Sequence, residues 1–342
     1  MGPSIGGCLL GTALGDAIGL PAEGLSRRRQ HRVLGELKGH RFFFGRGMVS
    51  DDTEHTCLVA EALIRSAGEP DAFERYLSAG LRWWLAGLPA GVGFATLRAV
   101  IRLWFGISSK SSGVFSAGNG PAMRSALIGA FCGEDRSRMR ALVQSSTRLT
   151  HTDPKAEWAA FAVALAATMP ADGQAFQSAL AEALGDGAAE FLALTDAALR
   201  SAGRGETTEH FADLLGLHHG VSGYCFHTVP VALHAWLRHP NDFRAAVPAA
   251  VRCGGDTDTT GAITGAIVGS TVGEAGLPSD WLGGLVEWPR TVARMRLLAS
   301  QLAERGRVEH FTSIPFAHTL LRNAFFTLVV IVHILRRMLP PY

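Results

Sequence analysis

The 342-residue chain predicts an all-α fold, one compact multi-helix domain. Three observations carry that reading. Apolar residues recur at helical spacing along most of the chain, and no stretch sustains the period-two alternation of a half-buried strand. Two clusters of acids and hydroxyls, Ser50-Asp51-Asp52-Thr53 and Asp256-Thr257-Asp258-Thr259-Thr260, each stand where a helical pattern opens. Hydrophobic residues make up 47% and charged residues 18%, which supports a large core and argues against disorder, and no linker divides it.

Taken in order, Gly7, Gly11, Gly15 and Gly19 recur every fourth residue. On a helix they form one smooth stripe that lets a neighbour approach closely. Asp16 lies in that helix, where bonding to nearby backbone is its plain use. Pro21 ends the helix near Gly19 and leaves Glu23 on a loop. Residues 27–37 are basic and polar and read as a surface segment. Arg41-Phe42-Phe43-Phe44-Gly45 reads as a short strand or ordered loop. Helical patterns follow at about 52–66, 71–86 and 94–106, and the Gly- and Ser-rich stretch 107–120 is a loop.

Pro121 then suits the first position of a helix with Met123, Ala126, Leu127 and Phe131 on one face. Residues 136–149 and 154–168 continue the helical pattern, joined by Thr150-His151-Thr152-Asp153-Pro154, where Asp153 reads as a cap. An alanine-rich helix is expected over 175–202 and a short one over 208–217. Residues 221–227, carrying Tyr224, read as a loop or extended piece, and helices follow over 229–237 and 242–253. Gly254 and Gly255 turn the chain into a last small, apolar helix over Thr259–Val272.

Composition excludes some functions. A net charge of +2 and a pI near 8.4 are too mild to call for nucleic acid. The five cysteines are widely spaced, odd in number and set in apolar segments, so they read as buried free thiols in a reducing compartment, and the N-terminus lacks a basic leader. A cytoplasmic location is expected. The apolar run Ala324–Leu335, followed by Arg336 and Arg337, is short of the ~20 residues a spanning helix needs. It reads as a helix packed on the body, with contact to a membrane surface or a partner as the second reading, and no transmembrane segment is expected.

The two acidic clusters carry the chemistry. Carboxylate and hydroxyl oxygens are the ligands that hard divalent cations select. Ser, Thr and Asp are also the preferred helix caps, so either cluster alone has a structural explanation. Four acids at two helix starts exceed what capping needs. If they meet in space, their repulsion asks for a cation.

Five pieces together resemble the ADP-ribosylglycohydrolase family: GCLLGTALGDAIGLPAE (residues 7–23), SDDT (50–53), GNGPAMR (118–124), THTDP (150–154), and SGY with GGDTDTTG (222–224 and 254–261). The resemblance implies an all-α domain over about 1–305 with a C-terminal helical extension over 306–342. It implies a pair of Mg²⁺ or Mn²⁺ ions held by Ser50, Asp51 and Asp52 on one side and Asp256, Asp258 and Thr259 on the other. Carried over by position, Ser116, Gly118, Asn119 and Gly120 approach the diphosphate of ADP-ribose, and His151 and Tyr224 touch the same ligand, Tyr224 being suited to stack on adenine.

The implied activity is hydrolysis of ADP-ribose from a modified macromolecule, a protein side chain with arginine as the default linkage. Water attacks the anomeric carbon through an oxocarbenium-like state. Glu23, Asp52 and Asp256 are the candidates to orient or deprotonate that water, and the leaving-group acid is unassigned. One departure stands out: many arginine-specific relatives carry an acid in a loop whose counterpart here, Pro89-Ala90-Gly91-Val92-Gly93, has none, which leaves other linkages open. The alternative function is an antidote that binds and neutralises an ADP-ribosylating toxin, with hydrolysis secondary. Intact Asp51, Asp52, Asp256 and Asp258 favour the hydrolase, since a binding module has no use for so much repulsive charge.

Overall fold

The computed structural model describes residues 4–304 and 312–338. Its eighteen α-helices run α1 (Ile5–Gly19), α2 (Arg27–Leu34), α3 (Asp51–Ser66), α4 (Pro70–Ala86), α5 (Phe94–Trp104), α6 (Gly120–Met123), α7 (Ala126–Cys132), α8 (Arg136–Arg148) and α9 (Pro154–Ala166). They continue as α10 (Gly173–Leu184), α11 (Ala189–Gly203), α12 (Thr208–Leu214), α13 (Cys225–Arg238), α14 (Phe243–Val251), α15 (Thr257–Val272), α16 (Ser279–Gly284), α17 (Val292–Ala303) and α18 (Phe316–Met338). Among the described residues β-structure is limited to isolated bridges. The all-α expectation holds.

The centre of the fold is the antiparallel pair α1 and α15. Both are apolar all round and buried almost throughout, as a helix enclosed by other helices must be. The stripe Gly7, Gly11, Gly15 faces Gly269, Gly265, Gly261, and Gly19 faces the Thr257 carbonyl. A methyl group on any of these four glycines of α1 would fall less than 3.0 Å from a backbone carbonyl oxygen of α15, so the backbones touch directly. Helices α3 and α17 flank α1, and α13 and α14 flank α15. Helix α9 fills the space between α6, α7, α8 and α13, while α4, α5, α10, α11 and α12 form outer layers.

Local sequence explains most boundaries. Ser4, Asp135, Asp153, Asp172, Thr207, Asp242 and Thr291 accept a backbone N–H from the turns they open, as preferred caps do. The capping read for Asp153 is therefore borne out. The end of α1 at Gly19, ahead of Pro21, also matches.

Several boundaries moved. Residues 27–34 form a helix, and Arg27 leaves the surface to donate to the carbonyls of Cys253 (2.9 Å) and Leu217 (2.9 Å) and to Asp213 (2.5 Å). The helix expected from Pro121 breaks at Arg124 and Ser125, because the wholly buried Arg124 takes a non-helical backbone (φ −108°) and reaches Ser146 and Thr150. The helix expected over 175–202 breaks at Gly185, which ends α10 with φ +69°. Helix α15 starts two residues before its expected position.

The C-terminal helix is longer than the apolar run predicted. At 23 residues α18 has the length and composition to cross a membrane, as does the segment Ile5–Ala22, but the latter is a core helix. The boundary expected near 305 falls outside the described residues. Helix α18 rests on the body through Phe326 and Val329, which pack with Leu20, Phe42 and Met48. All five cysteines are buried.

Two outcomes test this packing. Gly265→Ala should cost at least about 2 kcal/mol in urea denaturation, since the backbone it meets cannot withdraw, whereas Gly203→Ala, with open space around it, should be neutral or stabilise by about 0.5 kcal/mol. Buried His234, held between the hydroxyls of Thr208 and Ser201, is pushed down to about 4, chiefly by burial. The unfolded chain takes up that proton first as pH falls, so the stability is intact above ~6.5 and drains away toward 4. The unfolding free energy of His234→Asn should therefore fall less steeply than that of the parent between pH 6.5 and 4.

Candidate functional site

The first cluster is set by α1 and α3 together. Ser50 is the N-cap of α3, and its hydroxyl accepts the N–H of Asp52 (3.3 Å) and donates to Asp52 Oδ2 (3.1 Å). The remaining free donors of this helix end are met from across the core. Asp16 of α1, fully buried, accepts the N–H of Ser50 (2.9 Å), the N–H of Thr53 (3.2 Å) and the Thr53 hydroxyl (2.5 Å). Burial raises the Asp16 carboxyl to about 7 against the pull of these bonds.

The second cluster is set by α1 and α15. Gly254 and Gly255 sit at φ +73° and +79°, in the left-handed region, and Gly255 bridges Leu25 on one side and Val221 on the other. The Thr257 hydroxyl donates to the Gly19 carbonyl (2.8 Å), tying the start of α15 to the end of α1. Asp256 occupies the N-cap position of α15 but makes no side-chain cap bond. Its Oδ2 instead accepts Asn119 Nδ2 (2.7 Å). Asn119 is itself fixed by the Thr228 hydroxyl (3.0 Å) and, through its backbone, by the Gly223 carbonyl (2.9 Å).

The clusters meet: the Thr259 hydroxyl donates to Asp52 Oδ2 (3.3 Å), joining α15 to α3. Asp52 is buried, and its other oxygen, Oδ1, has no hydrogen-bond partner. Asp258 is buried beside it and accepts the adjacent Thr259 N–H (2.9 Å). Burial, followed by their neighbours' negative charge, raises the carboxyls of Asp51, Asp52 and Asp258 well above the ordinary value. Glu23 stands at the solvent edge. Its partly desolvated surroundings and the charge of Asp256 raise its carboxyl, and Arg337 of α18 opposes them. Among the described residues no group of three His, Cys, Asp or Glu side chains is gathered as a ready coordination shell. The oxygen set is a mixture of carboxylates and hydroxyls.

The remaining predicted residues form a rim. Bridges Val114–His151 and Gly118–Tyr224 lay the 114–120 loop against the junction before α9 and the start of α13. His151 lies buried under that loop, so close that a methyl on Gly118 would meet its Nε2 at 2.8 Å. Burial, then Arg124, pushes His151 down to about 3, so it is neutral at physiological pH. Ser116 and Gly120 sit on the same loop, half-buried. The Tyr224 hydroxyl bonds Lys155 Nζ (3.0 Å), which also pairs with Glu190 (2.7 Å).

Sequence reasoning missed four participants. Asp16 serves as a cap for another helix, not for its own. Arg124 places a buried cation under α3, where burial lowers it to about 10 and Asp51 pulls it back up. Arg27 clamps the chain just before Gly254 through the Cys253 carbonyl. Glu54, next to the acidic pair, is held by Arg290 (3.0 Å), Arg322 (3.2 Å) and Trp84 Nε1 (2.7 Å). For Asp16 and Arg124 the available signal was an ionic residue inside an otherwise apolar run; Arg27 and Glu54 stand in charged runs and gave none.

The profile of the ADP-ribosylglycohydrolase family matches residues 4–310. The chain belongs to this family. Over 293 residues it is 25% identical to the ADP-ribosyl-[dinitrogen reductase] glycohydrolase of Rhodospirillum rubrum, covering 83% of this chain and 92% of that protein. It is 27% identical over 311 residues to the ADP-ribosylarginine hydrolase Tri1 of Pseudomonas putida, covering 88% and 78%. An uncharacterized protein of Archaeoglobus fulgidus is 31% identical over 287 residues, covering 81% and 90%. Among solved structures, an ADP-ribosylglycohydrolase-related protein complex superposes with a TM-score of 0.64 at 27% identity, covering 88% of this chain and 97% of that one. The reading as an ADP-ribosylglycohydrolase enzyme stands, and the all-α architecture is the family's.

The geometry separates an acid whose oxygens are used within the fold, Asp16, from acids that crowd one another, Asp52 and Asp258. In EDTA at pH 7, Asp16→Ala should destabilise by at least about 2 kcal/mol, because it strands buried N–H and O–H donors. Asp52→Asn and Asp258→Asn should be neutral or stabilising under the same conditions, since each relieves like-charge crowding. Urea denaturation with the three variants side by side checks the ordering.

Proposed function

We propose that the chain removes ADP-ribose from a modified protein side chain by metal-dependent attack of water at the anomeric carbon. The observation that carries this is the junction of the two acidic helix starts at Asp52 and Thr259, with Asp52 Oδ1 buried and unpartnered and Asp256 turned away from its capping duty. Capping does not account for either aspartate.

The donor set fits hard divalent cations. Ser50, Asp51 and Asp52 from α3 and Asp256, Asp258 and Thr259 from α15 would hold two Mg²⁺ or Mn²⁺ ions through carboxylate and hydroxyl oxygens. When bound, such ions fix the ribose hydroxyls and lower the pKa of an attacking water. The chain's own residues do the rest. Asn119 holds one oxygen of Asp256 and so orients its carboxylate. Asp52, Asp256 and Glu23 are the acceptors available for the proton of the water. Glu23, with its raised proton affinity at the solvent edge, suits proton exchange with bulk water. His151 is neutral and buried, so it offers a ligand a hydrogen bond and not a proton. The 114–120 loop and Tyr224 form the wall against which the diphosphate and adenine would lie.

The linkage rests on the relatives. Two of them carry names of hydrolases acting on ADP-ribosyl-dinitrogen reductase and ADP-ribosylarginine. Arginine is accordingly the default, although the turn 89–93 between α4 and α5 brings no acid of its own. No observation favours the toxin-binding alternative.

The test is release of free ADP-ribose from arginine-, serine- and base-linked conjugates with Mg²⁺, Mn²⁺ or EDTA. Activity should require the cation, and Asp51→Ala or Asp258→Ala should lower it at least about 100-fold while leaving the circular dichroism unchanged. Mn²⁺ titration by calorimetry should lose its heat in the same variants. Turnover that persists in EDTA would overturn the metal-dependent reading.

A further inference from the structure

Helix α18 is built the wrong way round for a helix on a protein surface. Its inward face carries Thr319, Arg322 and Asn323 alongside Phe326 and Val329. Arg322, 4% exposed, donates to Glu54, Glu287 (2.9 Å) and the Val49 carbonyl (2.6 Å), and Asn323 donates to the Gly87 carbonyl (2.8 Å). The outward face is apolar over several turns: Leu321 is 64% exposed, Leu328 58% and Leu335 55%, with Phe325 and Val332 between them. Those five positions repeat at helical spacing and form one ridge along a helix about 35 Å long. Phe43 packs on Phe325 (5.6 Å between ring centres), and Phe44, almost fully exposed, extends the ridge at the tip of a turn. An apolar surface of this extent is not left to water by chance.

The charge beside the ridge is mostly basic, with Glu23 the acid that Arg337 faces. Helix α18 contains no acid, and Arg336 is exposed near its end. Arg28, Arg29 and Arg32 of α2 gather against Arg337 and Met338 around an open pocket of about 660 Å³. Among the described residues no carboxylate pairs with Arg28, Arg29 or Arg32. A second copy docked ridge to ridge would cover the apolar groups, but the ridge helix itself has no acid to offer these guanidinium groups. A bilayer of anionic phospholipid supplies both an apolar phase and phosphates. Crossing that bilayer would require pulling Arg322 and Asn323 out of the body, so α18 fits lying in the interface.

We propose that the outer face of α18, with the arginines of α2 beside its end, docks the protein on an anionic phospholipid surface. Aromatic and leucine side chains enter the acyl boundary, and the basic groups sit among the headgroup phosphates. The contact is separate from the hydrolytic reading and stands or falls without it.

Co-sedimentation of the full chain with vesicles tests this. The chain should pellet with phosphatidylcholine vesicles containing about one third phosphatidylglycerol, bind pure phosphatidylcholine at least about tenfold more weakly, and be released by high salt. Leu328→Glu with Val332→Glu, and separately Arg28→Glu with Arg32→Glu, should each weaken binding at least about tenfold without changing the thermal midpoint or ADP-ribose release. Equal binding to neutral and anionic vesicles would overturn the proposal. So would absence of vesicle binding in a chain that light scattering finds dimeric and that Leu328→Glu makes monomeric, which would assign the ridge to a second copy.

Discussion

Backbone-to-backbone contact between α1 and α15 is the constraint on which everything else is registered. With glycines on both sides, two helix axes approach as no larger residue would permit. The contact is antiparallel and repeats every fourth residue, so sliding by one residue would drive side chains into backbone. That fixes the start of α15 against the end of α1, where the Thr257 hydroxyl meets the Gly19 carbonyl. The same α1 carries Asp16, three residues before Gly19, and Asp16 seats the start of α3. One rigid helix thus indexes both acidic clusters, and the separation between Asp52 and Thr259 follows from it.

The second consequence is electrostatic. Asp16, Asp51, Asp52, Asp256 and Asp258 are gathered where water is scarce, and Arg124 is the buried cation that acts on Asp51 from below. A fold selected for stability alone would not collect them, because each carboxylate raises the cost of ionising the next. Asp16 offsets its burial by accepting bonds from Ser50 and Thr53. Asp52 Oδ1 has no such compensation. That difference, between an acid whose oxygens are used and one whose oxygen is left over, separates scaffold from site more sharply than burial does. It also explains why Asn119 matters. It spends its amide on Asp256, so the loop that would face the ligand and the acid that would face the cation are held by one side chain.

Legibility in the sequence followed the range of the interaction. The helix starts at 50–53 and 256–260 were readable because caps and first-turn acids are local signals, and the glycine stripe was readable because its period is local. That the stripe had a partner in Gly261, Gly265 and Gly269 was equally periodic but needed a pairing of residues some 250 positions apart. Asp16 was read as bonding its own neighbourhood, since nothing nearby in sequence says that an acid in α1 caps α3. Arg27 opens a basic run and so reads as a surface residue, whereas its guanidinium turns inward to carbonyls at Leu217 and Cys253. Helix α18 was underestimated for a related reason. The apolar run begins only at Ala324, whereas the helix begins at Phe316 and the polar Arg322 and Asn323 ahead of the run belong to the face that docks.

That docking face brings the tail into the site. Arg322 reaches the Val49 carbonyl, and Glu287, held by the same guanidinium, accepts the Val49 N–H (3.2 Å). Both backbone groups of the residue preceding Ser50 are therefore committed to one buried ionic network. Glu54, one turn further along α3, joins it through Arg290 and Arg322. At the other end of α18, His333 approaches the Pro21 carbonyl (3.2 Å) and Arg337 donates to the Glu23 carbonyl (3.0 Å). A buried network with both charges and hydrogen bonds satisfied adds little net stability over apolar packing, but breaking it strands charge, so it specifies one arrangement. Here it specifies where the first acidic cluster begins, while the contacts of His333 and Arg337 hold the turn that carries Glu23. Through its inward face the helix is thus a structural support of the segment that leads into Ser50, Asp51 and Asp52, while its outer ridge faces away from them.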